Sequence, residues 1–153
     1  MGIESANKQD VLRIADMYSK LYSHVHKRPD GARKKDKLIN YVEVRLKRKD
    51  YYIYKAVVKN KIVGIISSKL LSSRRGYITD AFVEPDSRRK GILRKLEKYA
   101  LIELKNRGIK TVELDVRIDN DEGLSAWNAL GYKVKTRVQK RKADKLILIK
   151  EIG

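Results

Sequence analysis

Seven consecutive residues, Arg88-Arg89-Lys90-Gly91-Ile92-Leu93-Arg94, carry the most concentrated chemistry of the chain: four are cationic and one is glycine. They follow an extended segment, Tyr77 to Val83, across Glu84-Pro85-Asp86-Ser87, and lead into a helical pattern. The first amides of a helix lack carbonyl partners and point outward, and the helix dipole adds about half a positive charge there. Such a place suits an anion, and a phosphate is the commonest example. Gly91 would let a phosphate reach the backbone with no Cβ in its way. The plainer reading is a solvated helix end with a turn glycine. Cations at a helix N-terminus oppose the dipole unless an anion is bound, which tilts the reading toward a ligand.

Other chemistry-bearing residues are scattered. Thr79 and Asp80 lie on the strand before the turn, and its period of two aims them at opposite faces. His24 and His26 form a His-x-His pair with no third ligand in evidence, so no metal is expected and the pair reads as loop. Asn120 is placed to cap a following helix, and Trp127 reads either as core or as part of a site. The chain has no cysteine, which excludes disulfides, Cys-ligated zinc and an acyl-cysteine intermediate.

The elements that must position these residues follow from periodicity. Apolar residues from Val11 to Leu21 recur at helical spacing from Asn7 or Gln9 to about Tyr22, with Asn7 or Asp10 as cap. Ser23 to Gly31 reads as a loop, and Ala32 to about Lys49 as a second helix with a densely basic outer face. Tyr52 to Val58, a Lys59-Asn60-Lys61 turn and Ile62 to Leu71 read as a hairpin. Strand Tyr77 to Val83 then feeds a helix running from after Pro85 to Arg107, stopped by Gly108. Thr111 to Val116 (strand), Glu122 to Leu130 (helix), Tyr132 to Val138 and Leu146 to Ile149 (strands) complete the order, with a short opening strand at Ile3 to Ser5. This order predicts an α/β (α+β) fold: a mixed, mostly antiparallel central sheet flanked by helices on both faces, in one domain over residues 1–153.

The net charge of 37 − 19 = +18 creates a field that attracts phosphates, nucleic acid or acidic proteins and repels polycations. Heat-adapted surfaces have a similar composition, and both accounts of the charge stand. No apolar run approaches the roughly 20 residues that span a bilayer, and the N-terminus shows neither an apolar signal region nor a myristoylation pattern, so a cytoplasmic protein is expected.

The stretch Tyr77 to Ile92 resembles the strand-to-helix core of the GNAT superfamily of acetyltransferases, whose signature there is Gln/Arg-x-x-Gly-x-Gly/Ala, with Arg88 and Gly91 matching. Ile3-Glu4-Ser5-Ala6 followed by Asp10 is similar to that family's opening strand and helix. Asn120 through Trp127 to Leu130-Gly131-Tyr132 is similar to its closing pattern. The resemblance implies an acyl-CoA-dependent N-acetyltransferase with acetyl-CoA as cosubstrate and no metal. It further implies direct transfer to an amine acceptor, either a small molecule or a lysine or N-terminus of a protein. The turn amides of Arg88, Arg89, Lys90, Gly91, Ile92, Leu93 and Arg94 would bind the pyrophosphate. Phe82, Val83 and Glu84 would pair with the pantetheine arm like an added strand, in a gap where the two central strands splay. Asn120 and Trp127 would lie near the cofactor.

Three positions depart from the pattern. Leu93 stands at the last Gly/Ala position. Trp127 stands where relatives carry a tyrosine that returns a proton to the CoA sulfur, and an indole donates a hydrogen bond without acting as an acid. Thr79 stands where similar relatives carry a glutamate base. Thr79, Asp80 and Trp127 are therefore the catalytic candidates, with Glu84, Tyr77 and Tyr132 as other proton acceptors. Backbone amides near Phe82 and Val83 are placed to polarise a thioester carbonyl. Two other classes are weighed: a catalytically silent acyl-CoA-binding domain, and a nucleic-acid-binding module on the basic faces Arg33 to Lys49 and Arg137 to Lys145. An acidic or nucleic-acid-associated protein substrate and a homodimer through the terminal strands complete the expected partners.

Overall fold

A computed structural model of the chain describes residues 1–26, 35–141 and 143–153, with positions 24–26 described by backbone alone. Asn7 starts the first helix through a capping box: its side chain accepts from the Gln9 amide at 2.9 Å, and Asp10 accepts from the Asn7 amide at 2.9 Å. A 3₁₀ turn, Lys8–Asp10, passes into α1, Val11–His26. Helix α1 thus runs four residues into the segment read as loop, because the breakers that marked it, Pro29, Asp30 and Gly31, all come later. The rest of that segment, and the start of the second predicted helix, lie outside the described residues. Helix α2 spans Lys35–Leu46.

The strands are β1 (Gly2–Ser5), β2 (Tyr51–Val58), β3 (Lys61–Leu70), β4 (Arg75–Val83), β5 (Thr111–Arg117), β6 (Lys133–Val138) and β7 (Lys145–Glu151), with α3 at Ile92–Asn106 and α4 at Asp121–Ala129. They form one seven-stranded sheet in the order β1-β2-β3-β4-β5-β7-β6. The β1–β2, β5–β7 and β6–β7 pairs are antiparallel, and β4 and β5 run parallel through Arg75 to Tyr77 and Thr111 to Glu113. A parallel pair needs a crossover, and α3 is on it. The mixed, mostly antiparallel sheet expected from the element order is present. Between β2 and β3 the chain turns on Lys59 (φ 49°) and Asn60 (φ 64°), the two left-handed residues that a two-residue hairpin matched to strand twist requires.

By packing, the chain divides into two compact units, residues 1–68 with 80–100 and residues 69–79 with 101–153. In the first, α1 and α2 bury Ile14, Met17, Leu38 and Val42 against Ile53, Ile65 and Phe82. Residues next to these on the strands face the other way. Tyr54 packs edge-on against Tyr99 of α3 at 5.1 Å, and Gly64 sits beneath Leu96 and Ile92 of α3. Helices therefore cover both faces of the strands of this unit, as the alternation of β-strand side chains allows. In the second unit, β5 lies against β7 from Thr111↔Glu151 to Arg117↔Lys145, and Gly76 admits Leu104 and Ile109. Among the described residues no helix is long and apolar enough to cross a membrane.

Candidate functional site

The turn after β4 has a backbone that few sequences adopt. Pro85–Ser87 make a 3₁₀ turn, Arg88 is extended (φ −75°, ψ 162°), and Arg89 (φ 62°) and Gly91 (φ 78°) are left-handed. The helix read as starting after Pro85 begins only at Ile92, because these two residues interrupt it. Left-handed residues alternating with right-handed ones are what an anion nest is built from, and this turn holds two left-handed residues. The first amide taken up by α3 is that of Lys95, which donates to the Gly91 carbonyl at 3.1 Å. The amides of Ile92, Leu93 and Arg94 thus precede any intrahelical partner. Arg89, Lys90, Gly91 and Arg94 are exposed, Leu93 is half-buried and Ile92 is buried. A Cβ built on Gly91 meets nothing within 4 Å. Open space, outward amides and three exposed cations fit a diphosphate.

The end of β4 is held in place from several sides. The Glu84 amide donates to the Val63 carbonyl of β3 at 2.8 Å. The Glu84 carboxylate is gripped by Arg13 and Lys20 of α1, each at 3.2 Å, and Arg13 also donates to the Ile62 carbonyl at 2.9 Å. Glu84 therefore works as an ion-pair anchor. Arg88 folds back on its own strand: its Nε donates to the Val83 carbonyl at 2.8 Å, and its guanidinium carbon lies 5.4 Å from the centre of the Phe82 ring. Below the turn, a Cβ on Gly64 would stand 3.2 Å from the Phe82 carbonyl oxygen and 3.3 Å from Ile92 Cγ2. A Cβ at these distances would need its neighbours to give by a few tenths of an ångström, so glycine suits the close approach of α3 to β3 and β4.

Of the strand candidates, Asp80 belongs to the first unit, half-buried on the side of α1 and α2. Ser67 Oγ approaches its Oδ2 at 3.4 Å, and the Tyr18 hydroxyl donates to Ser67 Oγ at 3.2 Å. Burial, then the negative charge of Asp80, pushes the hydroxyls of Tyr18 and Tyr41 well up, so both stay protonated at neutral pH. Thr79, Asn120 and Trp127 belong to the second unit. Thr79 is half-buried. Asn120 caps α4, its Oδ1 accepting from the Gly123 amide at 3.0 Å. Trp127, half-buried, packs edge-on against buried Tyr132 at 5.4 Å. Tyr77 donates its hydroxyl to Asp115, and burial followed by that bond pushes it up. The side chains of His24 and His26 lie outside the described residues, and among those described no group of three His, Cys, Asp or Glu could hold a metal ion.

Sequence reasoning missed the partners that act across the chain. Arg13 and Lys20 lie 71 and 64 residues from Glu84, and helical periodicity places them only on the polar side of α1. Gly64 left a signal, since a glycine inside an apolar strand marks a close approach, although not by what.

Known proteins resemble this chain in sequence or in fold. N-alpha-acetyltransferase 30 of Schizosaccharomyces pombe is 28% identical over 85 residues, which are 53% of this chain and 57% of that protein, so the match spans little more than half of the relative. The Streptococcus mutans protein smu.2055 has the same fold over the full length of both chains, with a TM-score of 0.82 and 24% identity. The Salmonella typhimurium protein yncA, solved with acetyl-CoA, superposes with a TM-score of 0.80 at 18% identity, covering 100% of this chain and 94% of its own. The model of the acetyltransferase (GNAT) family matches residues 11–132, taking in α1, β4, the left-handed turn and all of α3, and the chain belongs to that family.

Proposed function

We propose that this chain is an N-acetyltransferase that moves an acetyl group from acetyl-CoA directly to an amine, with both reactants held in one ternary complex. The observation that carries the reading is the left-handed pair Arg89 and Gly91 immediately before α3, exposed and open above Gly91. In this reading the amides of Gly91, Ile92, Leu93 and Arg94 hold the pyrophosphate, with Arg89, Lys90 and Arg94 adding charge. Phe82, Val83 and Glu84 are assigned to the pantetheine arm, and Asn120 and Trp127 of the second unit are the further candidates for cofactor contact. The CoA thioester supplies the activated acetyl carbonyl. The rest falls to this chain: orienting the amine, taking its proton and excluding water.

An alkyl ammonium near pKa 10.4 must be deprotonated before it attacks. Asp80 as a carboxylate and Thr79 through water are the alternative candidates for that path, since neighbouring strand residues face opposite sides. Glu84, tied to two cations, is not one. Trp127 is assigned to the sulfur, where its indole N–H donates a hydrogen bond without supplying an acid. That limit favours one second reading, an acyl-CoA-binding domain without turnover. The name of the fission-yeast relative supports a protein N-terminus as acceptor, and the charge of +18 disfavours polycationic amines. Because the family match runs through parts of both compact units, the two are read together as one acetyltransferase domain. A cytoplasmic setting, where acetyl-CoA is at hand, goes with this activity.

The test is a melting experiment followed by thiol release. Acetyl-CoA at moderate salt should raise Tm where an equally charged nucleotide does not, since polyanion attraction alone is screened for both. Thiol release with peptides, small amines and amino sugars should then identify an acceptor. Equal Tm shifts from both anions would sink the cofactor site. Binding without thiol release toward any amine would leave the silent reading.

A further inference from the structure

The side chain of Arg88 does something that its place in a cationic run does not suggest. It folds back on its own strand: its Nε–H donates to the Val83 carbonyl at 2.8 Å, and its guanidinium carbon lies 5.4 Å from the centre of the Phe82 ring. Neighbouring residues of a strand point their N–H and C=O groups to opposite edges. Glu84 is turned toward β3, where its amide donates to Val63. The amide and carbonyl of Val83 therefore point to the other edge of β4, and Arg88 has taken up the carbonyl. The Val83 N–H remains as the strand-end donor on that edge.

On the acetyl-CoA reading above, we infer that Arg88 is a positioning residue for the pantetheine arm and not a phosphate ligand. Its Nε–H fixes the end of β4 so that the arm docks as an extended chain on the Val83 amide. The pyrophosphate is left to the backbone of Gly91 to Arg94 and to the exposed Arg89, Lys90 and Arg94.

What this role requires is an N–H donor one bond beyond Cδ, not a charge. Glutamine has such a donor, since its Nε2 is bonded to Cδ as Nε is in arginine. Lysine keeps the charge but places its nitrogen one bond farther out. Methionine keeps the bulk with neither. Affinities for acetyl-CoA and for adenosine 3′-phosphate 5′-diphosphate, which keeps the pyrophosphate but lacks the pantetheine arm, separate the two roles in Arg88→Gln, Arg88→Lys and Arg88→Met. Arg88→Gln should bind acetyl-CoA within about twofold of the parent, while Arg88→Lys and Arg88→Met weaken about tenfold, the factor that about 1.4 kcal/mol makes. All should bind the arm-free diphosphate alike. Parent-like affinity in Arg88→Lys together with loss in Arg88→Gln, or a parallel fall for the arm-free diphosphate, would return Arg88 to the phosphates and overturn the inference.

A second measurement needs no ligand. In the free protein, the Nε–H of Arg88 should exchange with solvent more slowly than those of exposed Arg89 and Arg94, as read by NMR. Equal exchange would refute the clamp even if acetyl-CoA binds. A protected Nε–H in a parent that binds no acetyl-CoA would instead overturn the cofactor reading, and with it the positioning role.

Discussion

Gly91 separates two costs that a substitution usually mixes. At φ 78° it stands where a side chain is strained, yet a Cβ there meets nothing within 4 Å. Gly91→Ala therefore adds backbone strain of about 1–2 kcal/mol and no clash, which for a chain of this size lowers Tm by roughly 2–8 °C. Gly91→Glu adds the same strain and also a carboxylate. If that carboxylate stands about 5 Å from a bound phosphate at an effective dielectric of about 20, the repulsion is about 3 kcal/mol, over two decades in Kd. The assay is calorimetric titration of each variant with acetyl-CoA beside its melting curve. Alanine should melt lower and lose less than about tenfold in affinity, and glutamate should melt as alanine does but bind more than about 100-fold more weakly than the parent. Equal affinity in the two variants would show that no anion approaches Gly91 and would refute the phosphate seat.

Three further expectations test the surroundings. Glu84→Gln should cost under about 1 kcal/mol, since Lys20 is exposed and Arg13 partly so, and should change kcat by no more than roughly threefold; a fall of about 100-fold would reinstate Glu84 as the base. Gly64→Ala should lower the urea midpoint by about 1–3 kcal/mol of stability and weaken acetyl-CoA binding as well, because the backbone oxygen of Phe82 at 3.2 Å cannot yield without moving the strand end; an unchanged Kd would uncouple that packing from the turn. Burial pushes Glu113 up, but hydrogen bonds from Arg75 and Lys135 outweigh it and hold the carboxyl below its usual range. Its stabilising contribution is thus present at neutral pH and lost as pH falls through that lowered value. Glu113→Gln should be less stable at pH 7 and show a flatter acid limb in denaturant midpoints; an acid limb as steep as the parent's would remove Glu113 as its cause.

The strand, turn and helix around Gly91 were legible because their signals are local: a strand, a cluster of cations, one glycine and the start of a helical pattern are all close neighbours in the chain. The hairpin turn at Lys59 and Asn60 was legible for the same reason. The left-handed Arg89 was not, since arginine has no preference for that conformation, and only the closed geometry of the turn imposes it. The ion pairs of Glu84 were hidden by sequence distance, and the fold of Arg88 onto Val83 by the many rotamers open to a long side chain. Asn120 could be read both as cap and as site residue because a side-chain amide suits either role, and the distance to Gly123 records the cap. The end of α1 was misplaced because Ser23 to His26 neither favour nor break a helix strongly, so the later proline drew the boundary too early.

The two compact units interleave along the chain, and this restricts how the protein can be cut. A truncation after residue 68 removes the stretch 80–100, and with it the strand end, the turn and the start of α3 that complete the first unit. Shortening from the other end removes α1, which grips Glu84, before it reaches anything in the second unit. No continuous fragment can carry the Gly91 turn with its supports on α1 unless it also carries β4 from its start. Split reporters or engineered nicks therefore belong at the exposed tip Lys59–Asn60, where both halves keep whole strands, and not at the exposed residues around Gly91.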